Sequence, residues 1–279
     1  MAVQPSEIRV YHEKWAHHAE LDLTNDSVVW AQKKKHVFIF TDAGKPVFSR
    51  YGDEIKLAPF MGTLTALSSV VEDTTDNPDT VMCDNRIIVF HTIGPIHVVV
   101  IASTGETPRQ LRFQAEMLGR KLCSIIPYHT ILQLFKEKTS YDFRRLVVSE
   151  YDQIKFTIHS FNTQFSAAFD AVSICPSADR ERFAEVYTRA IASANEDLVQ
   201  TQDTVVFALL IRGFQALYIY QRNGCVLTPA DFFILCAFVA ALPNQNDKWV
   251  PIGLNDFNRR RRPALTRRVR PALHPRPLV

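Results

Sequence analysis

With 279 residues, 47% of them hydrophobic and 22% charged, the chain has the composition of a globular protein, with room for one large or two smaller domains that each bury a core. Its formal charge of +3 comes from eight arginines between residues 259 and 279, a stretch without an acid; elsewhere 24 Lys+Arg face 29 Asp+Glu. A body with that balance of −5 argues against a nucleic-acid-binding surface spread over the fold.

Residues 1–30 are polar and without clear period, and are expected to form a flexible leader. Met1 to Trp15 lacks the apolar run of a signal peptide. Val37 to Phe40, the turn Asp42-Ala43-Gly44-Lys45 and Pro46 to Tyr51 then predict a β-hairpin, with Gly44 supplying positive φ. Leu57, Phe60, Leu64, Leu67 and Val71 recur with helical spacing, so a helix packing that stripe on a sheet is expected. Residues 73–79 are loop, and Thr80 to Cys83 with Arg86 to His91 predict a second hairpin around Asp84-Asn85. After Gly94-Pro95 comes a strand, Ile96 to Ala102. Thr107-Pro108-Arg109-Gln110 has the signature of a helix start, with Thr107 as cap, proline at the first position and glutamine closing a capping box. Leu111, Ala115, Leu118, Leu122 and Ile125 carry that helix's stripe, Pro127 marks its end, and a short helix follows from Thr130 to Lys138.

The order β-β-α-β-β-β-α-α over residues 35–140 predicts an α+β fold: a longin-type domain with a five-stranded antiparallel sheet and helices. Profilin-like and other sensor folds share related orders. Residues 141–195 are mixed, mostly helix-compatible and broken at Cys175-Pro176, and read as a helical connector. A hairpin from Val205 to Ile211 and Ala216 to Gln221, a helix from Phe232 to Leu242 begun by Thr228-Pro229, and a strand from Trp249 to Leu254 repeat the β-β-α-β opening, and predict an incomplete second longin-like domain. The expected division is therefore a leader at 1–30, a first domain at 31–140, a connector at 141–195, a partial second domain at 196–258 and a disordered Arg/Pro-rich tail at 259–279, whose composition is expected to be unable to build a sheet. Phe232 to Leu242, the longest apolar run, is too short to cross a bilayer of about 30 Å. Cys83, Cys123, Cys175, Cys225 and Cys236 are odd in number, widely spaced and mostly within apolar stretches, which predicts reduced, buried thiols in the cytosol.

Sites for chemistry are not found. Gly44-Lys45 lacks the earlier glycine and the following Ser/Thr of a phosphate loop. His12-Glu13 opens like a zinc-protease motif, but Ala16 holds the position where the second histidine belongs. His91 and His97 lie on predicted strands and are read as structural. No acid–base or nucleophilic constellation can be named, so no catalytic residue, metal or cofactor is expected. The helix beginning near Leu57 is more informative. Off its apolar stripe it carries Gly62, Thr63, Thr65, Ala66, Ser68 and Ser69, without a charge between Lys56 and Glu72. A solvated helix face normally holds Lys and Glu, whereas small uncharged residues admit another backbone; this second face is expected to be covered by a partner, the competing reading being a helix sandwiched within the same chain. The arginine tail has the charge to attract anionic lipid or nucleic acid, but begins in mid-domain and is read as foreign to the fold.

The run Gln32 to Phe40, continued by Asp42-Ala43-Gly44-Lys45-Pro46-Val47-Phe48-Ser49-Arg50-Tyr51-Gly52, closely resembles the opening of the first longin domain of the Mon/SAND vacuolar fusion family. The likeness extends through Leu57 to Glu72, Gly94-Pro95-Ile96 and Thr104 to Leu111. Phe207 to Ile211, Pro229-Ala230-Asp231 and Trp249 to Ile252 resemble the family's second longin domain. The resemblance implies a triple-longin protein that pairs with a Ccz-type subunit. That pair is a guanine nucleotide exchange factor for the Rab-family GTPase of late endosomes and vacuoles, working by protein contact in the cytoplasm with peripheral endosomal and vacuolar membrane association. The first longin domains form a joint platform that deforms the GTPase switch, displaces magnesium and weakens nucleotide binding. Lys45, Pro46 and Tyr51 join Gly62, Thr63, Ala66 and Ser69 as candidate contacts to partner or GTPase. An adaptor or coat subunit without exchange activity is the alternative. The pattern departs from the family at Val199 to Val206, where a short extra segment is expected, and stops at Asn258, which implies a truncated or altered C-terminus.

Overall fold

The structure, a computed structural model, describes residues 27–73, 79–164, 171–174, 180–198, 205–222, 225–241, 251–254 and 267–268. The chain divides into two units at Ile158/His159.

The first unit is built on β1 (Lys35–Thr41), β2 (Pro46–Ser49), β3 (Thr80–Cys83), β4 (Arg86–Ile93) and β5 (Ile96–Ala102). They form one antiparallel sheet in the order β2-β1-β5-β4-β3, with Phe38 opposite both Ser49 and Val99, and Val89 opposite both Val100 and Thr80. The apolar run Val98 to Ala102 of β5 is the mark of a central strand covered on both faces, and all seven residues of the strand, His97 included, are buried. On one face Phe38, Phe40, Phe90, Val99 and Ile101 form a cluster with Met61 and Leu64 of α2 (Ala58–Asp73). On the other lies α3 (Pro108–Ile125), so close at Gly119 that an added Cβ would stand 2.1 Å from the Ile93 Cδ1. The expected capping box starts α3: the Gln110 amide N–H donates to the Thr107 hydroxyl and the Thr107 amide to the Gln110 side chain. At its first turns Lys35, largely buried, pairs with Glu106 and donates to Gln114 at 3.0 Å.

Several boundaries differ from those expected. The leader gives way to a helix, α1 (Ser27–Gln32), before residue 30, because Trp30 anchors it: its Nε1–H donates to the Tyr51 carbonyl at 3.2 Å and its ring meets His36 and Phe60. Residues 141–158, expected in a connector, belong to the first unit. Beyond α4 (Tyr128–Glu137), Phe143 and Val147 are fully buried, Val147 ending the short α5 (Arg144–Val147). In α6 (Tyr151–Ser160), Gln153 accepts from the buried Lys121 ammonium at 2.7 Å and the Tyr151 hydroxyl donates to the Val47 carbonyl at 2.7 Å. The inward seam of α2 keeps the expected Leu64, with Leu57 and Leu67 packed against the same cluster, but takes Met61 in place of Phe60; the side chain of Val71 lies outside the described residues. Met61, Leu64 and Ser68 are buried, Leu57 and Leu67 flank them, and Phe60 is 36% exposed.

The second unit holds the antiparallel pair β6 (Phe207–Arg212) and β7 (Gln215–Gln221), with Gly213 at φ +60 in the turn. Helix α7 (Arg180–Leu198) lies on β7, where Tyr187 stacks on Tyr218 at 5.6 Å. Helix α8 (Pro229–Ala241) starts on the expected cap, the Asp231 amide donating to the Thr228 hydroxyl at 3.2 Å. It buries Phe232 and Cys236 with Ala216, and Leu235 and Phe238 with Ile252. Two residues of the arginine tail do pair: β9 (Arg267–Arg268) lies antiparallel to β8 (Pro251–Ile252). Backbone pairing does not need an apolar side chain, which is why the composition of the tail did not reveal it. Among the cysteines, Cys123, Cys225 and Cys236 are buried and free, whereas Cys83 is free and exposed at the sheet edge, against the expectation of burial; Cys175 lies outside the described residues.

Candidate functional site

Burying Met61, Leu64 and Ser68 turns the opposite side of α2 to solvent. Gly62, Thr63, Ala66 and Ser69 are all exposed, together with Pro59 and Val70, and occupy neighbouring turns of one helical stripe. Three hydroxyls of this helix are directed to its own backbone: Thr63 donates to the Pro59 carbonyl at 3.2 Å, Thr65 to Met61 at 3.0 Å and Ser69 to Thr65 at 3.2 Å. What remains outward is methyl, Cα and Cβ, a surface without charge that asks little desolvation of a partner. Among the described residues none buries these four, as the alternative of a helix sandwiched within the chain would require.

The β1–β2 hairpin abuts this stripe. Gly44 holds φ +70, and a Cβ there would stand 3.3 Å from the Gly62 Cα, while the Cβ direction of Gly62 itself is open. Lys45 and Pro46 follow directly. They line a shallow cleft of about 230 Å³ with Ile55, Ala58, Asp142 and Arg144. The Lys45 ammonium donates to the Ser140 carbonyl at 2.7 Å, and the Asp142 carboxylate lies 3.6 Å from both Arg144 and Arg145. Six of the seven candidate contacts thus gather around one end and one face of α2.

Tyr51 keeps other company. Its ring carries the Lys33 ammonium and the Arg50 guanidinium, each 4.9 Å from the centroid, and meets His36 edge-on at 5.9 Å. Burial, followed by the charges of Arg86, Arg50 and Lys33, pushes His36 down to about 4. Asp142 and Arg144 were missed as site residues because their segment read as connector, and Phe60 because its spacing placed it in the core. Val70 and the 62% exposed Ile55 carry no sequence signal beyond being apolar beside a small-residue helix.

Of the structural histidines, His97 Nε2 lies 2.7 Å from the Asp42 carboxylate and its Nδ1 3.2 Å from the Thr92 hydroxyl, tying the two adjacent turns together. His91 faces α3 beside Gly119, and burial lowers its pKa. Among the described residues there is no group of three or more His, Cys, Asp or Glu able to hold a metal, and no helix long and apolar enough to cross a membrane. The residues resembling a zinc-protease opening lie outside the described part.

Residues 35–155 match the family described as the first longin domain of FUZ, MON1 and HPS1. The match begins at β1 and ends within α6, so it includes the helices beyond residue 140 that pack on the sheet. The chain is 30% identical over 234 residues to a vacuolar fusion protein MON1 homolog of Oryza sativa subsp. japonica, covering 83% of this chain and 40% of the relative. It is likewise 30% identical over 243 residues to the Arabidopsis thaliana homolog, covering 85% and 38%, and 27% identical over 241 residues to homolog A of Gallus gallus, covering 86% and 42%. The chain belongs to the Mon/SAND family. It spans about two fifths of the length of these relatives. As a Mon/SAND chain it carries a longin domain whose sheet, with α2 on one face and α3 on the other, has the predicted strand and helix order, followed by a second unit whose described elements repeat the β-β-α-β opening.

Proposed function

We propose that this Mon/SAND chain is one subunit of a guanine nucleotide exchange factor for the late-endosomal and vacuolar Rab GTPase, paired through its first longin domain with a Ccz-type longin subunit. The observation that carries the reading is the outward stripe Gly62, Thr63, Ala66 and Ser69, uncharged, self-satisfied in its hydrogen bonds and exposed along a helix of 16 residues. Such a stripe lets a second helix approach to near backbone contact. Lys45 and Pro46, at the hairpin beside Gly62, stand at the rim of that contact, where a GTPase straddling both subunits would touch. Exchange then follows from differential binding: the pair favours a GTPase whose switch is deformed and whose magnesium is displaced, and nucleotide leaves. No chemical step by the chain is involved. It acts in endosome maturation and vacuole or lysosome fusion, at the cytoplasmic face of membranes it touches peripherally.

Purified together with a Ccz-type subunit, the chain should accelerate nucleotide release from the late-endosomal Rab. Ala66→Arg should abolish pairing while leaving the thermal transition of the isolated chain unchanged, since Ala66 is exposed. Undiminished pairing of Ala66→Arg removes the helix face from the interface. Pairing without acceleration of release assigns the chain to the adaptor class.

A further inference from the structure

His97 is placed by two strand registers at once. It faces Phe40 across β1 and β5 and Thr92 across β4 and β5, so the three side chains share the face of the sheet that α2 covers. The ring packs on Phe40 with centroids 5.4 Å apart, its Nδ1 lies 3.2 Å from the Thr92 hydroxyl, and only 8% of the side chain is exposed. Held from two sides, the imidazole aims its other nitrogen, Nε2, at the half-exposed Asp42 carboxylate 2.7 Å away. Asp42 opens the turn between β1 and β2.

Backbone already joins that turn to the one between β4 and β5, the Asp42 amide donating to the Pro95 carbonyl at 3.0 Å. Closing two neighbouring turns needs no more than this bond. A second bond, from a side chain locked on the sheet, removes the rotation that a single bond leaves. Within the tip, the Gly44 amide donates to the Thr41 carbonyl at 2.7 Å and the Lys45 amide to the Thr41 hydroxyl at 3.2 Å, so a shift of Asp42 is passed to both. The turn on the other side is firm: it is backed by α4, where a Cβ on Gly94 would stand 3.0 Å from the Leu132 Cδ2 and 3.2 Å from the Tyr128 Cε2.

We propose that His97 is a positioning residue of the exchange contact: through Asp42 it fixes the tip of the first hairpin, and with it the direction in which Lys45 is offered to the GTPase. The consequence for exchange rests on the function proposed above, whereas the positioning is a property of the chain by itself. The imidazole is buried on the sheet and acts only through Asp42.

Two measurements on the full chain separate these. Amide hydrogen exchange of the unpaired chain reads the tip. His97→Phe keeps a ring against Phe40 and loses the donor, so the Gly44 and Lys45 amides should exchange at least about tenfold faster than in the parent; in His97→Gln, whose amide can still donate to Asp42, they should stay within about threefold. Nucleotide release from the late-endosomal Rab, driven by each variant paired with the Ccz-type subunit, reads the consequence. There kcat/KM is expected to fall roughly tenfold in His97→Phe, to recover in His97→Gln, and to fall no further when His97→Phe is added to Lys45→Ala. Affinity for the Ccz-type subunit should not change, because the outward face of α2 is untouched. Tip amides unaltered in His97→Phe overturn the proposal, as do losses that add to that of Lys45→Ala, which would give His97 a route of its own. Pairing lost in His97→Phe also overturns it, by showing a general structural role. A parent pair that releases no nucleotide defeats the exchange reading instead, and the tip amides then decide alone whether His97 positions the hairpin.

Discussion

Gly44 and Gly62 meet where the first hairpin turns onto α2, with 3.3 Å between the place of a Gly44 Cβ and the Gly62 Cα. Gly44 also holds φ +70, a conformation that costs an L-residue about 1–2 kcal/mol. Gly44→Ala therefore combines backbone strain with a contact to helix backbone. It is expected to lower unfolding stability by about 1–2 kcal/mol or more, read as a shift of the denaturant midpoint at constant slope. A midpoint equal to the parent's would mean that the hairpin moves away from α2 at little cost.

Gly62→Ala should do the reverse in the isolated chain. Its Cβ direction is open and it sits inside a helix, where alanine is favoured over glycine by roughly 0.8–1 kcal/mol. Stability should rise while affinity for the Ccz-type subunit falls at least about tenfold, as expected when an interface relies on close backbone approach. Raised stability with unchanged affinity, by calorimetric titration, places Gly62 outside the contact.

Lys121 is 1% exposed, and burial pushes its amino group down to about 8, with the Glu150 carboxylate opposing the shift. Its folded value lies below the ordinary 10.5, so between about pH 8 and 10.5 the unfolded chain binds more protons and the folded state gains stability as pH rises. Below pH 8 both states carry the charge and the burial penalty is present in full. Relative to Lys121→Met, the parent should gain up to roughly 3 kcal/mol across that window. Parallel stability–pH curves for the two proteins would show that the ammonium is better solvated than its burial and the Gln153 bond imply.

Much of this arrangement was legible because short-range chemistry fixes it. Thr107 and Gln110 announce their capping box by spacing alone, and the β5 run needs both faces covered wherever it sits. The phase of α2 was harder. Phe60 and Met61 are both apolar and adjacent, so spacing allowed either in the seam; tertiary packing chose Met61, and Phe60 turned to Trp30 and Phe38 at the cluster's edge. Met61→Ala should accordingly cost about 2–5 kcal/mol, as a buried large-to-small change, and Phe60→Ala distinctly less. Equal costs in denaturant melts would restore the phase read from the sequence. The role of residues 141–158 was not legible, since it lies in contacts distant in sequence, Gln153 with Lys121 and Tyr151 with Val47, the latter 104 residues away.

One such contact closes an edge. Strand β2 ends the sheet on its side, and edge strands with open carbonyls invite pairing with other chains. Here the Val47 carbonyl accepts from the Tyr151 hydroxyl, while the Tyr151 ring meets Phe48 edge-on at 5.1 Å. Burial, then the Glu54 carboxylate, holds that hydroxyl in its protonated, donating form well above the usual tyrosine range. Tyr151→Phe keeps the ring and removes only the donor, so stability should fall by about 1 kcal/mol with the ring packing intact. Tyr151→Ala should also release α6 and expose β2, giving concentration-dependent association detectable by light scattering. If Tyr151→Ala stays monomeric at the concentrations where the parent does, β2 is protected by something other than this tyrosine.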